Sequence, residues 1–211
     1  MPALHRSGSS RRHAALVAVG IAWLALHPQV LAQCAAAAPA TGLGACIDTM
    51  AAHSALVTRQ ANGLGYRFQY AAASYTDHEL KRIYIQAYDC RQSEPVGLNA
   101  RLALLAHELG HAEYGVRQDT ASRDAYIQSW CDAEGHAVIN NILARAETLQ
   151  CTGGSVDIGL AAANAAQLLE LQRADGRRAR RIGEAFCASN FTSTTRQNYR
   201  DYYGAYYDAH Y

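Results

Sequence analysis

The 211-residue sequence lacks the features that mark several common protein classes. It has no C-x-x-C motif, which argues against a redox dithiol and against a zinc site built from thiolates. Its 19 Lys and Arg residues nearly balance 18 Asp and Glu residues, so its charge gives no reason to expect nucleic acid as a partner. After residue 32 no apolar run is long enough to cross a bilayer, and we expect no stable membrane span once that segment is removed.

The first 32 residues predict a secretory signal peptide. Arg6, Arg11 and Arg12 precede an apolar run over residues 14–26, which is too short to span a bilayer comfortably. Small residues follow, and we place cleavage after Ala32. We therefore predict a single domain over residues 33–211 and export to the periplasm or the extracellular space.

All six cysteines follow the predicted cleavage site, and an even number in an exported chain indicates disulfides. Six cysteines allow fifteen pairings, and the sequence does not choose among them. Our working expectation is sequential pairing, in which Cys90–Cys131 clamps the strand before the central helix to the helix after it. The disulfide candidates are Cys34, Cys46, Cys90, Cys131, Cys151 and Cys187.

Residues 107–111 form the pattern H-E-x-x-H, with His107 and His111 four positions apart. Residues four apart share one face of a helix, so the two histidines can hold one Zn²⁺ from adjacent turns. Glu108 is turned from them by about 100° and can accept a proton from attacking water without being a ligand. Leucines at helical spacing predict one helix from Gly97 to Tyr114 around this motif.

A second helix is predicted from about Ser122 to Leu149, and Glu134 falls within its apolar stripe. A buried carboxylate needs a partner that offsets its desolvation, and a zinc ion is such a partner. A salt bridge or a solvated side chain is the alternative explanation.

Four other polar residues of this helix are weaker candidates. Asn141 and Arg145 continue the face of Glu134 and could orient a ligand or a substrate from behind the metal. Asp132 and His136 lie on a different face and are reserve ligand candidates.

Two alternating segments, residues 66–70 and 83–88, predict a small antiparallel sheet ahead of the H-E-x-x-H helix. The expected fold class is therefore α+β and mainly α. A strand in this position could border a substrate cleft and pair with an extended substrate, although an ordinary core hairpin explains the alternation equally well.

The C-terminal segment, residues 196–211, holds six of the thirteen tyrosines. Most simply they pack an aromatic face against the domain with their hydroxyls at the rim. The functional alternative is that one tyrosine, such as Tyr203, or His210 or His136, donates a hydrogen bond to the oxyanion formed during amide hydrolysis.

The H-E-x-x-H pattern followed 23 residues later by Glu134 resembles the gluzincin class of zinc metallopeptidases. The resemblance implies a zincin-like domain in which His107, His111 and Glu134 bind Zn²⁺ and Glu108 is the general base. The segment 132–137 departs from the glutamate-x-x-x-aspartate form of that class. The H-E-x-x-H motif is not followed by the G-x-x-H of metzincins, which argues against a metzincin arrangement. The segment 201–204, together with the helical segment 134–141, also resembles predicted metallopeptidase domains of bacterial polymorphic toxins and secretion-system effectors.

The function implied is zinc-dependent hydrolysis of amide bonds in an exported enzyme, with a peptide or protein as substrate. Peptidoglycan is the rival substrate, because its cross-links are also amides. From a different class, the chain could be a disulfide-stapled binding module in which the motif is incidental or holds a structural metal. Four protein ligands close a structural zinc site, so three placed ligands favour catalysis.

Overall fold

The computed structural model describes residues 34, 37–91, 94–176 and 178–211. The predicted signal peptide lies outside these residues, so the cleavage site stays a prediction. Within the described ranges no helix has the length and apolarity that a membrane span requires.

The chain is mainly helical, and each long helix has a recognisable start. Ser122 caps the longest helix by accepting a hydrogen bond from the backbone N–H of Ala125. The H-E-x-x-H helix begins at Pro95 and ends before Gly115, whose φ of 64° suits glycine. The helices are α1 (Ala45–Ala51), α2 (Ala55–Gly63), α3 (Pro95–Tyr114), α4 (Arg123–Cys151), α5 (Ala165–Asp175), α6 (Ala179–Ser189) and α7 (Tyr199–His210).

The small sheet is mixed, so the prediction of an antiparallel pair is wrong. Strands β1 (Arg67–Ala71) and β3 (Arg82–Gln86) are the two predicted segments, and they pair in parallel. The connection between them contains a further strand, β2 (Tyr75–Asp77), which pairs antiparallel with β3. The chain reverses direction twice, so β1 and β3 run the same way. In the sheet, β3 lies between β1 and β2. This order leaves β2 as an edge strand beside α3.

Helix α4 runs through the centre of the structure and packs on α3 from one side and on α6 from the other. Glycines permit both approaches. A Cβ at Gly110 of α3 would lie 2.7 Å from the Ala137 Cα of α4, and a Cβ at Gly183 of α6 would overlap the Cys131 carbonyl oxygen. The core has one part among the sheet and α1 to α3, a second between α4, α5 and α6, and a third between α4, α6 and α7.

All six cysteines form disulfides, as the even count predicted. The sequential pairing is wrong, because Cys90 and Cys131 bond to different partners. Cys131 of α4 joins Cys187 of α6, and this bond links the two helices that approach most closely. The other disulfides are Cys34–Cys151 and Cys46–Cys90.

Candidate metal centre

Three residues of the H-E-x-x-H motif are directed inward from α3. His107 and Glu108 each expose 5% of their surface, and His111 is partly buried. Because Gly110 lets α4 approach α3 closely, Glu134 of α4 meets the two histidines and exposes only 3% of its surface. The structure thus brings together the side chains that the sequence singled out as ligands.

The three candidate ligand atoms form a nearly equilateral triangle. Nε2 of His107 lies 3.2 Å from Oε2 of Glu134 and 3.2 Å from Nε2 of His111. Nε2 of His111 lies 3.4 Å from the same Oε2. In a tetrahedral zinc site with bonds of about 2.0–2.1 Å, neighbouring ligand atoms lie about 3.3 Å apart. His107, His111 and Glu134 therefore form a group that could hold a metal ion.

Hydrogen bonds alone do not account for this triangle. Each Nε2 carries at most one hydrogen atom. If both Nε2 atoms donate to Glu134, the two N–H donors face each other at 3.2 Å and repel. If His111 instead donates to His107, the lone pair of the His107 Nε2 faces the carboxylate oxygen, which is also repulsive. No protonation state satisfies all three contacts, whereas a cation at the centre is attractive to every lone pair.

Glu134 and His107 are held from outside the triangle. The hydroxyl of Tyr203 on α7 donates a hydrogen bond to Oε1 of Glu134 at 2.6 Å, which leaves Oε2 to face the histidines. The His107 ring stacks on Phe186 of α6, with ring centroids 5.5 Å apart. Nδ1 of His107 is buried and has no hydrogen-bond partner in the described chain, so packing on Phe186 orients this ring.

The charges of the metal-free site are strongly coupled. Burial favours the neutral forms, but His111 and His107 hold the pKa of Glu134 well below its usual range. Burial also opposes the charge on His111, yet Glu134 outweighs it and raises the pKa of His111 to about 9. Glu134 and His111 therefore form an ion pair at neutral pH, and a metal ion would have to displace the His111 proton.

Glu108 lies beside the triangle and has a different partner. The hydroxyl of Thr76 on β2 lies 2.8 Å from Oε2 of Glu108 and 2.9 Å from the Glu108 carbonyl oxygen. Burial raises the pKa of Glu108, although His111 and His107 oppose that shift. This carboxylate is therefore a stronger base than an exposed glutamate, and Thr76 limits its rotation.

No protein-family model, curated protein or solved structure significantly matches the chain.

The triangle opens into a cleft of about 450 Å³. One wall is the edge strand β2, and another is the segment after α6, where Ser193 donates a hydrogen bond to the Ser74 carbonyl oxygen. Neither lysine nor arginine is among the described residues that line the cleft. Aromatic rings make up much of the remaining wall: Tyr75, Tyr126, Trp130, Tyr199, Tyr202 and Tyr206.

The other predicted site residues lie elsewhere. Asn141 binds the backbone of Gly159 and Ala161, and Arg145 pairs with Asp157. Both therefore secure the segment after α4 instead of the candidate metal ligands.

Both reserve ligands and His210 lie outside the triangle. Asp132 and His136 line a separate, larger cavity, where His136 stacks on Tyr114. His210 stacks on Tyr206 and contacts its carbonyl oxygen. Of the candidates for an outer role, Tyr203 is the one that touches a proposed ligand.

Sequence reasoning missed the residues that join the elements of the site. Asn140 binds the Ala106 carbonyl oxygen of α3 at 2.7 Å and exchanges two hydrogen bonds with Gln60 of α2. All of these groups are buried. A buried amide pair of this kind fixes the position of α3 along α4. It thereby fixes the position of the two histidines relative to Glu134. Thr76 was missed as well, because the sequence did not predict β2.

Proposed function

We propose that the protein is an exported zinc-dependent metallopeptidase of the gluzincin type. The observation that carries the proposal is the triangle of His107 Nε2, His111 Nε2 and Glu134 Oε2, with the buried Glu108 carboxylate beside it. Two imidazoles and one carboxylate are a donor set of catalytic zinc sites. The three disulfides agree with an oxidising compartment and support export.

In this proposal His107, His111 and Glu134 hold the metal through the atoms that converge in the triangle. A zinc ion bound by them would polarise the amide carbonyl and lower the pKa of water. Tyr203 keeps the Glu134 carboxylate turned toward the histidines, and the Phe186 ring keeps His107 in place.

Glu108 moves the protons. Its carboxylate accepts a proton from the water that attacks the amide carbon and then passes that proton to the departing nitrogen. Both transfers need the carboxylate to stay in one place, and the hydrogen bond from Thr76 supplies that restraint. The raised pKa of Glu108 favours its protonated form midway through the reaction.

The cleft favours peptide substrates. It has no lysine or arginine among its described lining residues, so it offers no guanidinium or ammonium group to pair with the acidic groups of peptidoglycan stem peptides. Its aromatic walls suit apolar side chains of an extended chain. Purified peptidoglycan and an unfolded protein, digested in parallel, distinguish the two substrates.

The first test compares wild type with Glu108→Gln in hydrolysis of an unfolded protein. We expect Glu108→Gln to bind one zinc per chain and to lose nearly all turnover. The matched control is Glu170→Gln on α5, whose carboxylate lies at the surface beside Arg173 and is expected to leave turnover unchanged. A folded Glu108→Gln variant with wild-type turnover overturns the role of the base.

The second test measures zinc content by elemental analysis. Glu134→Ala and His107→Ala should lose the metal. Asp132→Ala should retain it, because Asp132 binds Gln128 in the separate cavity. Folded wild-type protein without stoichiometric zinc overturns the proposed function and favours a binding module.

A further inference from the structure

A second histidine system borders the cleft without belonging to the triangle. His78 lies in the tight turn between β2 and β3 and is one of the residues that line the cleft. Its Nδ1 lies 2.9 Å from the hydroxyl of Tyr66, a residue that exposes 7% of its surface. The Nε2 of His78 has no partner in the described chain and is free to meet a molecule in the cleft.

Lys81 completes this system from the end of the same turn. Its Nζ lies 3.4 Å from the Tyr66 hydroxyl and 4.8 Å from the centroid of the Tyr66 ring. Lys81 is the one lysine in the sequence. The backbone of Lys81 has a φ of 51°, a conformation that residues other than glycine rarely adopt.

The hydrogens that each group carries favour one direction for these hydrogen bonds. An ammonium group can only donate, so the Tyr66 hydroxyl accepts from Lys81. If His78 Nδ1 also donated to that hydroxyl, the hydroxyl hydrogen would have no acceptor among the described residues. The satisfied arrangement is donation from Lys81 to Tyr66 and from Tyr66 to Nδ1. The neutral His78 ring must then carry its hydrogen on Nε2.

We propose that Lys81 and Tyr66 hold His78 as its Nε2–H tautomer, and that this N–H donates a hydrogen bond to the carbonyl oxygen of the amide under attack. This role rests on the proposed function. It supplies the oxyanion donor that the sequence did not identify, from a turn that precedes the H-E-x-x-H helix.

The electrostatics of the cleft agree with a neutral donor. In the metal-free protein, burial lowers the pKa of His78, and the positive charges of His111 and Lys81 lower it further, against a smaller opposing effect of Asp77. A neutral N–H oriented before the reaction stabilises developing negative charge without a reorganisation cost.

The tautomer is tested by nitrogen NMR on metal-free protein labelled with ¹⁵N-histidine, in which a His78→Phe variant assigns the His78 signals. We expect hydrogen on Nε2 in wild type, and a mixture of tautomers in Tyr66→Phe and in Lys81→Gly. Glycine adopts the φ of Lys81 without strain, so the latter variant should fold. Hydrogen on Nδ1 in wild type overturns the inference.

The role in catalysis is tested by kinetics of the zinc-loaded protein. Loss of an oxyanion donor lowers kcat by roughly 100-fold or more, so we expect that loss in His78→Phe with KM and zinc content little changed. His78→Gln should recover part of the rate, because its amide N–H can donate from a similar position. His53→Phe is the matched control at a histidine that contacts Cys151 outside the cleft.

The outcomes separate the two proposals. If Glu108→Gln is inactive while His78→Phe keeps its kcat within twofold, the donor role of His78 is overturned and the proposed function stands. If zinc-loaded wild type hydrolyses no peptide, the proposed function fails and the catalytic role of His78 fails with it, whereas the NMR result still decides the tautomer.

Discussion

The Tyr203 hydroxyl lies 2.6 Å from Oε1 of Glu134, so α7 orients a side chain of α4 that faces α3. Burial, and then the negative charge of Glu134, raise the pKa of Tyr203 well above its usual value. The hydroxyl therefore stays protonated and donates. This contact places Tyr203 behind the carboxylate proposed to bind the metal, where outer partners commonly set the affinity of a site.

Tyr203→Phe should weaken zinc binding by roughly 10- to 100-fold, the usual cost of losing such a partner. The fold should persist, because a phenylalanine ring can keep the stacking on Trp130, whose centroid is 5.2 Å away. Competition with a chelator of known affinity measures the effect. Tyr207→Phe removes a hydroxyl from the same helix and serves as the control. Equal affinities for Tyr203→Phe and wild type would contradict this role.

Zinc affinity should rise with pH. In the metal-free protein Glu134 overcomes the effect of burial and raises the pKa of His111 to about 9, so below that pH the metal must displace a proton. Between pH 6 and 8 the apparent affinity should increase about tenfold per pH unit. Calorimetry in buffers of different ionisation enthalpy should detect about one proton released per zinc bound at pH 7. An affinity independent of pH in this range would contradict the ion pair.

The sequence predicted those parts of the site that depend on helix periodicity. The predicted α3 began at Gly97, and the observed helix begins at Pro95 and ends at the predicted Tyr114. Four-residue spacing places His107 and His111 on one face, and the apolar stripe of α4 directs Glu134 inward. These are local rules, so they hold without knowledge of the neighbouring helices.

The remaining features depend on contacts between distant segments. Asn141, which the sequence favoured, and Asn140, which binds α3, are adjacent in the chain. One residue corresponds to a rotation of about 100° around the helix axis, so the two side chains point in different directions. Disulfide pairing follows from which helices approach, and the approach of α4 to α6 was not predicted. Strand β2 has three residues, too few to show an alternating pattern, so its pairing with β3 and the contact of Thr76 with Glu108 were missed.

Thr76→Val should lower kcat without loss of zinc. Valine keeps the shape of threonine but removes the hydrogen bond to the Glu108 carboxylate, which would then be free to rotate. We expect a decrease in kcat of about tenfold, since proton transfer by a positioned side chain contributes roughly 100- to 10,000-fold in total. Steady-state kinetics with zinc analysis on the same sample measures both effects. Thr58→Val, at a hydroxyl bound to the Ala51 carbonyl oxygen, is the control. An unchanged kcat would show that Glu108 needs no restraint from β2.

Gly183→Ala should destabilise the fold strongly. The added Cβ would overlap the carbonyl oxygen of Cys131 on α4, and backbone atoms cannot move aside as a flexible side chain can. We expect a loss of about 3 kcal/mol or more, which lowers the Tm of a domain of this size by roughly 6–12 °C. Gly63→Ala at the end of α2 is the control, because its Cβ would meet open space and φ is ordinary there. Calorimetry of both variants measures the difference. If the Tm of Gly183→Ala equals that of wild type, α4 and α6 do not pack this closely. The positions of Glu134 on α4 and Phe186 on α6 would then need another explanation.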